Sequence, residues 1–304
     1  MELVYRDVPG PKRDLVGYGP NPPRVVWPGG AALALNLVVN YEEGSEYSLP
    51  AGDGRNEGLA EINYTMSPEH RDLAAESVYE YGSRAGIWRL MRLFDEYGVK
   101  TTFFACAVAL DRNPEVGQWL QEAGHEPCSH GWRWSEHWLY SREEEAEKLR
   151  WAIEVIERTC GERPLGWYCR YGPSVNTREL VVEEGGFLYD SDAYNDDLPY
   201  WTMVGGRKHL VIPYSLVNND SRFSQGHFGP PEDFEEHLRY TFDRLYKEGA
   251  TRPKMMSIGL HMRVAGHPGR AAAVARFIAY AKSHSDVWFA RRIEIARHWQ
   301  EHHP

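Results

Sequence analysis

The stretch AALALNLVVNY, residues 31–41, decides the fold of this chain of 304 residues. It is a nearly continuous apolar run that is rich in leucine and valine. A strand with one face in water alternates apolar and polar side chains, whereas a strand buried on both faces of a parallel sheet is apolar throughout. The run therefore predicts a strand inside a parallel sheet whose two faces are both covered.

The sequence on the C-terminal side of this run alternates between strand and helix patterns. Ser141 with Glu144 three residues later is a capping box, which marks a helix start. Strands are predicted at 100–108, 126–130, 165–169, 187–191, 210–214, 254–262 and 287–290, and helices at 81–98, 114–123, 141–159, 176–184, 232–248, 270–283 and from 293.

This alternation predicts βαβ units and a parallel sheet. Seven or eight such units without a glycine-rich phosphate-binding motif favour a barrel over a doubly wound sheet. We therefore predict an α/β fold, a distorted (β/α)7 TIM-like barrel that forms a single domain over residues 31–304. Residues 1–30 are rich in proline and glycine and are predicted to be an N-terminal extended arm. Residues 45–70 lack periodicity and form a long loop, which in a compact domain is usually functional.

Composition excludes some classes of partner. The formal net charge is −10 and no stripe of lysine and arginine is present, which argues against nucleic acid as a partner. Neither a signal peptide nor a long apolar span is found, and the four cysteines have no C-x-x-C spacing. We expect a cytoplasmic protein that acts on a small molecule and binds no membrane.

Polar side chains follow several of the predicted strands. Glu42 and Glu43 end the first strand, His130 ends the third, Arg170 follows the fourth, and His261 lies near the end of the strand at 254–262. The carboxyl ends of barrel strands carry the active site, so these residues are expected at one rim. A carboxylate can deprotonate water and a histidine can protonate a leaving nitrogen. The sequence therefore predicts a hydrolytic site.

At these residues the chain resembles the polysaccharide deacetylase family, whose members share a distorted seven-stranded β/α barrel. The family motifs occur in order along roughly residues 31–290. They are similar to Glu42-Glu43, His130-Gly131-Trp132-Arg133-Trp134, Arg170 to Pro173, the pair Asp197 and Trp201 that would shape the pocket, and Leu260-His261.

Longer stretches resemble one branch of the family, the cofactor-independent allantoinases, which open the ring amide of allantoin to give allantoate. These stretches are NYEEGSE, YEYGSRAGIWR, CSHGWRW, ERPLGWY, EEGGFLYDSDAYNDDLPYW and SIGLHMR. The resemblance also implies a homo-oligomer such as a tetramer, with the arm at 1–30 as a candidate interface.

Trp134 bears on the question of a metal. In the family two carboxylates serve as base and ligand, and both histidines of the second motif bind the metal, whereas an indole has no lone pair to donate. A catalytic zinc usually keeps three protein ligands. We therefore expect no cofactor. If zinc does bind, Glu43 and His130 would hold it, with a substitute ligand from the loop at 45–70, His125 or His137.

Without a metal, we expect Glu42 or Glu43 to act as general base, oriented by Arg170 or another cation at the rim. His261 would then be the acid or stabilise the oxyanion, and His130 would contact a substrate carbonyl.

The remaining predicted residues would bind the substrate. Trp134 and Trp201 would stack on a flat heterocycle, Asp197 would shape the pocket, and Arg263 would reach an anionic or carbonyl-rich substrate.

Two other functions stay open on the sequence alone. One is a metal-dependent N-deacetylase of an N-acetylated sugar or small amide. The other is a non-catalytic barrel that binds a ureide or a saccharide.

Overall fold

A computed structural model describes residues 8–58, 61–62 and 66–304. Within these residues one mixed sheet of nine strands curls into a half-barrel surrounded by helices, as expected for the distorted barrel. The strands are β1 (Leu33–Tyr41), β2 (Thr102–Ala105), β3 (Glu126–Ser129), β4 (Gly166–Trp167), β5 (Tyr189–Asp190), β6 (Tyr200–Val204), β7 (Arg207–Val211), β8 (Lys254–His261) and β9 (Val287–Phe289).

The helices cover the outside of the sheet. In the part of the chain that is described, none is long and apolar enough to cross a membrane. Their bounds are α1 (Leu73–Tyr81), α2 (Ile87–Tyr97), α3 (Ala107–Arg112), α4 (Pro114–Ala123), α5 (Arg142–Cys160), α6 (Thr177–Glu184), α7 (Pro231–Gly249), α8 (Pro268–Lys282) and α9 (Arg292–His302).

The strand β1 lies at the centre of the sheet. The strand order is β6-β7-β5-β4-β3-β2-β1-β8, and β9 also pairs with β1. All pairings are parallel except that of β6 with β7. Every residue of β1 is buried, which confirms the prediction from its apolar run.

Alternate residues of β1 face two different cores. Leu35, Leu37 and Val39 pack with the surrounding helices, whereas Ala34 and Val38 pack with residues inside the barrel. Successive side chains of a strand point to opposite faces. The residues with even numbers therefore face the barrel interior, where the site lies.

Several elements differ from their predicted bounds. The helix predicted at 81–98 already begins at Leu73, because Asp72 caps it by accepting a hydrogen bond from the backbone N of Ala75 at 2.9 Å. A π-helical turn, Gly82–Gly86, joins α1 to α2. The strand predicted at 100–108 is shorter because α3 begins at Ala107, whose N–H bonds to the loop after β3.

The β6–β7 hairpin was not predicted. Its turn residues Gly205 and Gly206 have φ angles of 55° and 78°. Two positive φ angles are required by the commonest two-residue hairpin turns, so the Gly-Gly pair between two apolar runs was the signal for this hairpin. The capping box at Ser141 and Glu144 is confirmed, with both of its hydrogen bonds formed.

Residues 1–7 of the predicted arm lie outside the described residues, and the described part, residues 8–30, is only partly a surface segment. Residues 8–24 are mostly exposed, but Val25 and Trp27 are buried, and the indole N–H of Trp27 donates to the carbonyl of Lys254 at 3.0 Å. The boundary at residue 30 stays a prediction.

Two backbones touch directly below the site. A Cβ atom on Gly86 would lie 2.2 Å from the carbonyl oxygen of Met262, and one on Gly266 would lie 2.1 Å from the same atom. This close approach seats the turn after β8 against the start of α2.

Replacing Gly86 by alanine should therefore lower the free energy of unfolding by about 2 kcal/mol, since rigid backbone must move to admit the methyl group. Urea denaturation followed by circular dichroism measures the change. Gly54→Ala is the control, because a Cβ there meets nothing within 4 Å. Equal stability of the two variants would contradict the close contact.

Candidate active site

A cavity of about 360 Å³ opens at the carboxyl ends of β1, β3 and β8. Six of the nine predicted site residues line it, while Glu43 lies behind its wall and Asp197 and Trp201 lie elsewhere. The six residues are Glu42, His130, Trp134, Arg170, His261 and Arg263.

Glu42 is the carboxylate at the centre of this cavity. Its Oε1 lies 3.3 Å from Nε2 of His130 and 3.4 Å from Nε2 of His261, and its Oε2 lies 2.8 Å from Nη1 of Arg263. Burial by itself would raise the pKa of Glu42, but the charges of His261 and Arg263 hold this pKa well below its usual value. Glu42 is therefore ionised at neutral pH.

Glu43 points away from the cavity. Its Oε1 accepts a hydrogen bond from the backbone N of Arg263 at 3.0 Å, and its Oε2 accepts one from the backbone N of Glu42 at 3.2 Å. The side chain packs against Gly82, where an added Cβ would lie 2.5 Å from Oε1. Burial raises the pKa of Glu43 to about 7, although Arg263 opposes the shift. The side chain of Glu43 thus links the turn after β1 to the turn after β8 by hydrogen bonds.

His261 lies between two carboxylates. Its Nδ1 lies 2.6 Å from Oδ1 of Asp220 and its Nε2 faces Glu42. Burial by itself would lower the pKa of His261, but Glu42 and Asp220 raise it to about 9. Both ring nitrogens therefore carry protons at neutral pH, and the Nε2 proton is directed at the cavity.

Asp220 is a site residue that the sequence analysis missed. It is completely buried, and its Oδ2 accepts hydrogen bonds from the backbone N of His261 at 2.7 Å and of Ala265 at 3.0 Å. It lies in a short 3-10 turn, Asp220–Arg222, between a predicted strand and a predicted helix. No motif or spacing in that segment distinguishes it from a solvated loop residue.

Asp220→Asn should move the alkaline limb of the kcat–pH profile to lower pH by about one pH unit or more, because a charge that stabilises the imidazolium is removed. The raised pKa keeps His261 protonated up to pH about 9, so lowering that pKa means the proton is lost earlier. The pH dependence of kcat measures this limb. Asp197→Asn, at an exposed carboxylate outside the cavity, should leave it in place. A uniform loss at every pH would indicate a purely structural role.

His130 is held by the strand beside it. Its Nδ1 lies 3.0 Å from the carbonyl oxygen of Tyr168, and its ring stacks on that of Tyr168 with centroids 5.0 Å apart. Because a carbonyl oxygen can only accept a hydrogen bond, Nδ1 is the donor in this contact. The other ring nitrogen, Nε2, faces Glu42.

The base was expected to be oriented by Arg170 or another cation at the rim, and the structure places another cation, not Arg170, beside Glu42. Arg170 forms a buried ion pair with Glu57 at 2.6 Å, and its guanidinium lies 3.9 Å above the ring of Trp134. The cation that contacts Glu42 is Arg263, which was expected to bind substrate. Glu57 was not predicted individually, although it belongs to the long loop at 45–70 that was expected to be functional.

Trp134 is also less available than predicted. Its side chain is only 4% exposed, and the guanidiniums of Arg170 and Arg263 lie over its ring, the second at 5.0 Å. The ring of Trp134 therefore makes cation–π contacts with two arginines and is not open to a substrate. Tyr171, which also lines the cavity, is 48% exposed and is accessible.

Asp197 and Trp201 do not contribute to this cavity. Asp197 lines a separate depression of about 720 Å³ and lies 3.8 Å from Lys254. Trp201 donates its indole N–H to the carbonyl of His303 at 2.5 Å. Asp197 lies in the loop before β6, where its carbonyl accepts a hydrogen bond from the backbone N of Met255 at 3.1 Å, near the start of β8 and so far from the rim at its end. Trp201 lies on β6, the antiparallel strand of the unpredicted hairpin. The larger depression has no histidine among its lining residues, so we place the chemistry in the smaller cavity.

The residues of the cavity do not fit a divalent metal ion. In residues 8–58, 61–62 and 66–304, no three or more His, Cys, Asp or Glu side chains are arranged to hold one. Arg263 already forms ion pairs with both Glu42 and Glu43, and the indole of Trp134 has no lone pair to donate to a metal.

The two histidines considered as substitute ligands are engaged elsewhere. His125 bonds to Thr101, and Nδ1 of His137 lies 2.9 Å from Glu145.

Comparisons with known proteins agree with the fold and with the predicted family. The family model for polysaccharide deacetylase matches residues 71–189. A Schizosaccharomyces pombe protein assigned to the polysaccharide deacetylases is 36% identical over 96% of this chain and 98% of its own.

Two solved structures are more similar in sequence. A probable polysaccharide deacetylase from Pseudomonas aeruginosa PAO1 is 51% identical, with a TM-score of 0.92 over 96% of this chain and 99% of the other. PuuE allantoinase is 52% identical, with a TM-score of 0.92 over 96% and 98% of the two chains.

The half-barrel fold shared with these deacetylase and allantoinase relatives places this protein among the amide hydrolases. The chain belongs to the polysaccharide deacetylase family.

Proposed function

We propose that this protein opens the ring amide of allantoin or a related cyclic ureide by hydrolysis, without a metal. The observation that carries the proposal is the pair formed by Glu42 and His261, an acceptor and a donor of protons 3.4 Å apart in one buried cavity. The 52% identity to PuuE allantoinase supports the choice of substrate.

The dimensions of the cavity favour a small substrate. At about 360 Å³ it lies near the lower end of the range for small-molecule sites. A single heterocycle fits such a volume, whereas a polymer needs an open groove. Ser221, Ser224 and Gln225 at its border supply the donors and acceptors that a ureide requires.

The proposed reaction begins with a water molecule beside Glu42. The carboxylate takes a proton from this water as its oxygen bonds to the ring carbonyl carbon, and a tetrahedral oxyanion forms. His130 contacts the substrate carbonyl. When the C–N bond breaks, the leaving nitrogen takes the Nε2 proton of His261. The proton on Glu42 can return to His261 directly, because the two atoms are 3.4 Å apart. The single product is an open-chain ureide with a new carboxylic acid, which releases its proton to solvent and leaves as the carboxylate.

The decisive assay is allantoin hydrolysis by the purified protein, with and without a chelator, together with elemental analysis for zinc. We expect the chelator to leave the rate of turnover unchanged, and we expect the purified protein to contain no stoichiometric zinc. Glu42→Gln serves as the inactive control for a contaminating hydrolase. Absence of turnover, or turnover only after zinc is added, would overturn the proposal.

An N-deacetylase is the second candidate, because the family model and the yeast relative carry that name. Release of acetate from N-acetylglucosamine or its oligomers would favour it. Calorimetry that detects a bound ureide without any turnover would instead favour a binding barrel.

A cytoplasmic location and a homo-oligomeric assembly remain part of the proposal. Leu15, Val16 and Val26 on the arm are exposed apolar side chains of the kind that an interface would cover. Light scattering after gel filtration measures the assembly.

A further inference from the structure

Arg263 brings a fixed positive charge to the point where both glutamates meet. Its Nη1 lies 2.8 Å from Oε2 of Glu42 and 3.4 Å from Oε1 of Glu43, and the residue is 3% exposed. The guanidinium also lies 4.7 Å above the ring of Tyr79 and 5.0 Å above that of Trp134. An arginine in this setting cannot lose its proton.

The groups around this guanidinium are those that bind a divalent cation in other proteins. Beside the two carboxylates, the Nε2 atoms of His130 and His261 both face Oε1 of Glu42. Carboxylate oxygen and imidazole nitrogen are the ligands that zinc prefers besides thiolate. Two buried carboxylates side by side are unfavourable unless cations compensate them, and Arg263 contacts both.

The contact between Arg263 and Glu42 is an ion pair in which not every polar atom forms a hydrogen bond. Oε2 of Glu42 and Nε of Arg263 are buried atoms that make no hydrogen bond within the described chain. The attraction of opposite charges at 2.8 Å, rather than a well-aligned hydrogen bond, therefore holds Arg263 beside Glu42.

We infer that Arg263 takes the place of a metal ion in this site, where its guanidinium compensates Glu42 and Glu43 and excludes divalent cations from the cavity. This inference rests on the proposed metal-independent function and names the residue responsible for it. A guanidinium has no Lewis acidity, so it cannot activate water by coordination. It is a positioning residue that keeps Glu42 ionised and aimed into the cavity, and proton acceptance is left to Glu42.

The test is a Co²⁺ titration of the wild type, Arg263→Met and Arg263→Lys, followed by the visible absorption of four-coordinate Co²⁺. All three proteins carry His302→Asn, because His298 and His302 stack on α9 at 4.2 Å and form a surface pair that can bind metal. Methionine removes the charge at similar volume, whereas lysine keeps the charge.

We expect Arg263→Met to bind one equivalent of Co²⁺ at least about 100-fold more tightly than the wild type, because a like charge within a few ångströms has been removed. Arg263→Lys should behave like the wild type. Adding Glu42→Gln to Arg263→Met should abolish the absorption band, which locates the ion in the cavity.

Three results would overturn the inference: equal binding by the wild type, no binding by a folded Arg263→Met, or binding that survives Glu42→Gln. Circular dichroism and thermal unfolding establish that each variant is folded, and Arg263→Gln replaces Arg263→Met if the latter is not. No substrate is used, so the outcome is separate from that of the allantoin assay.

Discussion

Replacing Glu42 by glutamine is expected to lower kcat for ureide hydrolysis by a factor of about 10²–10⁴, the range that a general base contributes. The amide has nearly the same shape as the carboxylate but cannot accept a proton from water. Because substrate contacts are retained, KM should change little. Steady-state kinetics at neutral pH, over substrate concentrations from below KM to saturation, measure both constants.

Glu43→Gln is the matched control for this prediction. Its side chain lies outside the cavity, and burial raises the pKa of Glu43 to about 7, so a neutral amide resembles the state it already populates near neutral pH. We expect kcat to stay within about tenfold of the wild-type value. Loss of a catalytic proton transfer would lower kcat by more, by a factor of at least about 10². If Glu43→Gln were the more damaging change, the assignment of the base to Glu42 would be wrong.

The second large effect is expected for His261→Asn, which should lower kcat by about 10²–10³ through loss of the general acid. The leaving nitrogen of an amide needs a proton as its bond to carbon breaks, whereas the oxygen of a nitrophenyl ester does not. The variant should therefore lose much more activity on the ureide than on a nitrophenyl ester, if the wild-type enzyme hydrolyses one. The ratio of the two kcat values is the measurement.

His209→Asn is the control for this variant, because His209 is another buried histidine whose Nε2 lies 3.0 Å from a carboxylate, that of Asp190. It lies outside the cavity, so its replacement should affect stability and leave kcat unchanged. An equal loss on ureide and ester in His261→Asn would show that His261 supports the structure without donating the proton.

The geometry also explains why the two glutamates have different roles although they are neighbours in sequence. Side chains that follow one another at the end of a strand point to opposite faces. Glu42 continues the interior face of β1 and lies in the cavity, whereas Glu43 turns outward against Gly82. The apolar run alone indicated two candidates. Asn36 and Asn40 are polar residues of β1 on the same face as Glu42, and this period of two was a signal that the sequence analysis overlooked.

Local patterns were sufficient to predict the class of fold and most of the rim. The apolar run of β1, the capping box at Ser141 and the alternation of strands and helices are properties of short segments, and each of them is confirmed. The rim residues at the ends of β1, β3 and β8 followed from the same patterns, because parallel strands end at one edge of a sheet. Where a short-range signal was overlooked, as at Gly205-Gly206, the prediction missed the hairpin that holds Trp201 outside the site.

The sequence by itself therefore determined the barrel, the family resemblance and the presence of carboxylates and histidines at one rim. Only the tertiary structure decided which groups are partners. Arg263 rather than Arg170 neutralises Glu42, Asp220 holds His261, and Glu57 neutralises Arg170. The physical reason is that these ion pairs join segments far apart in the chain. The strength of each pair depends on burial and on distances of a few ångströms, which no local pattern of residues encodes.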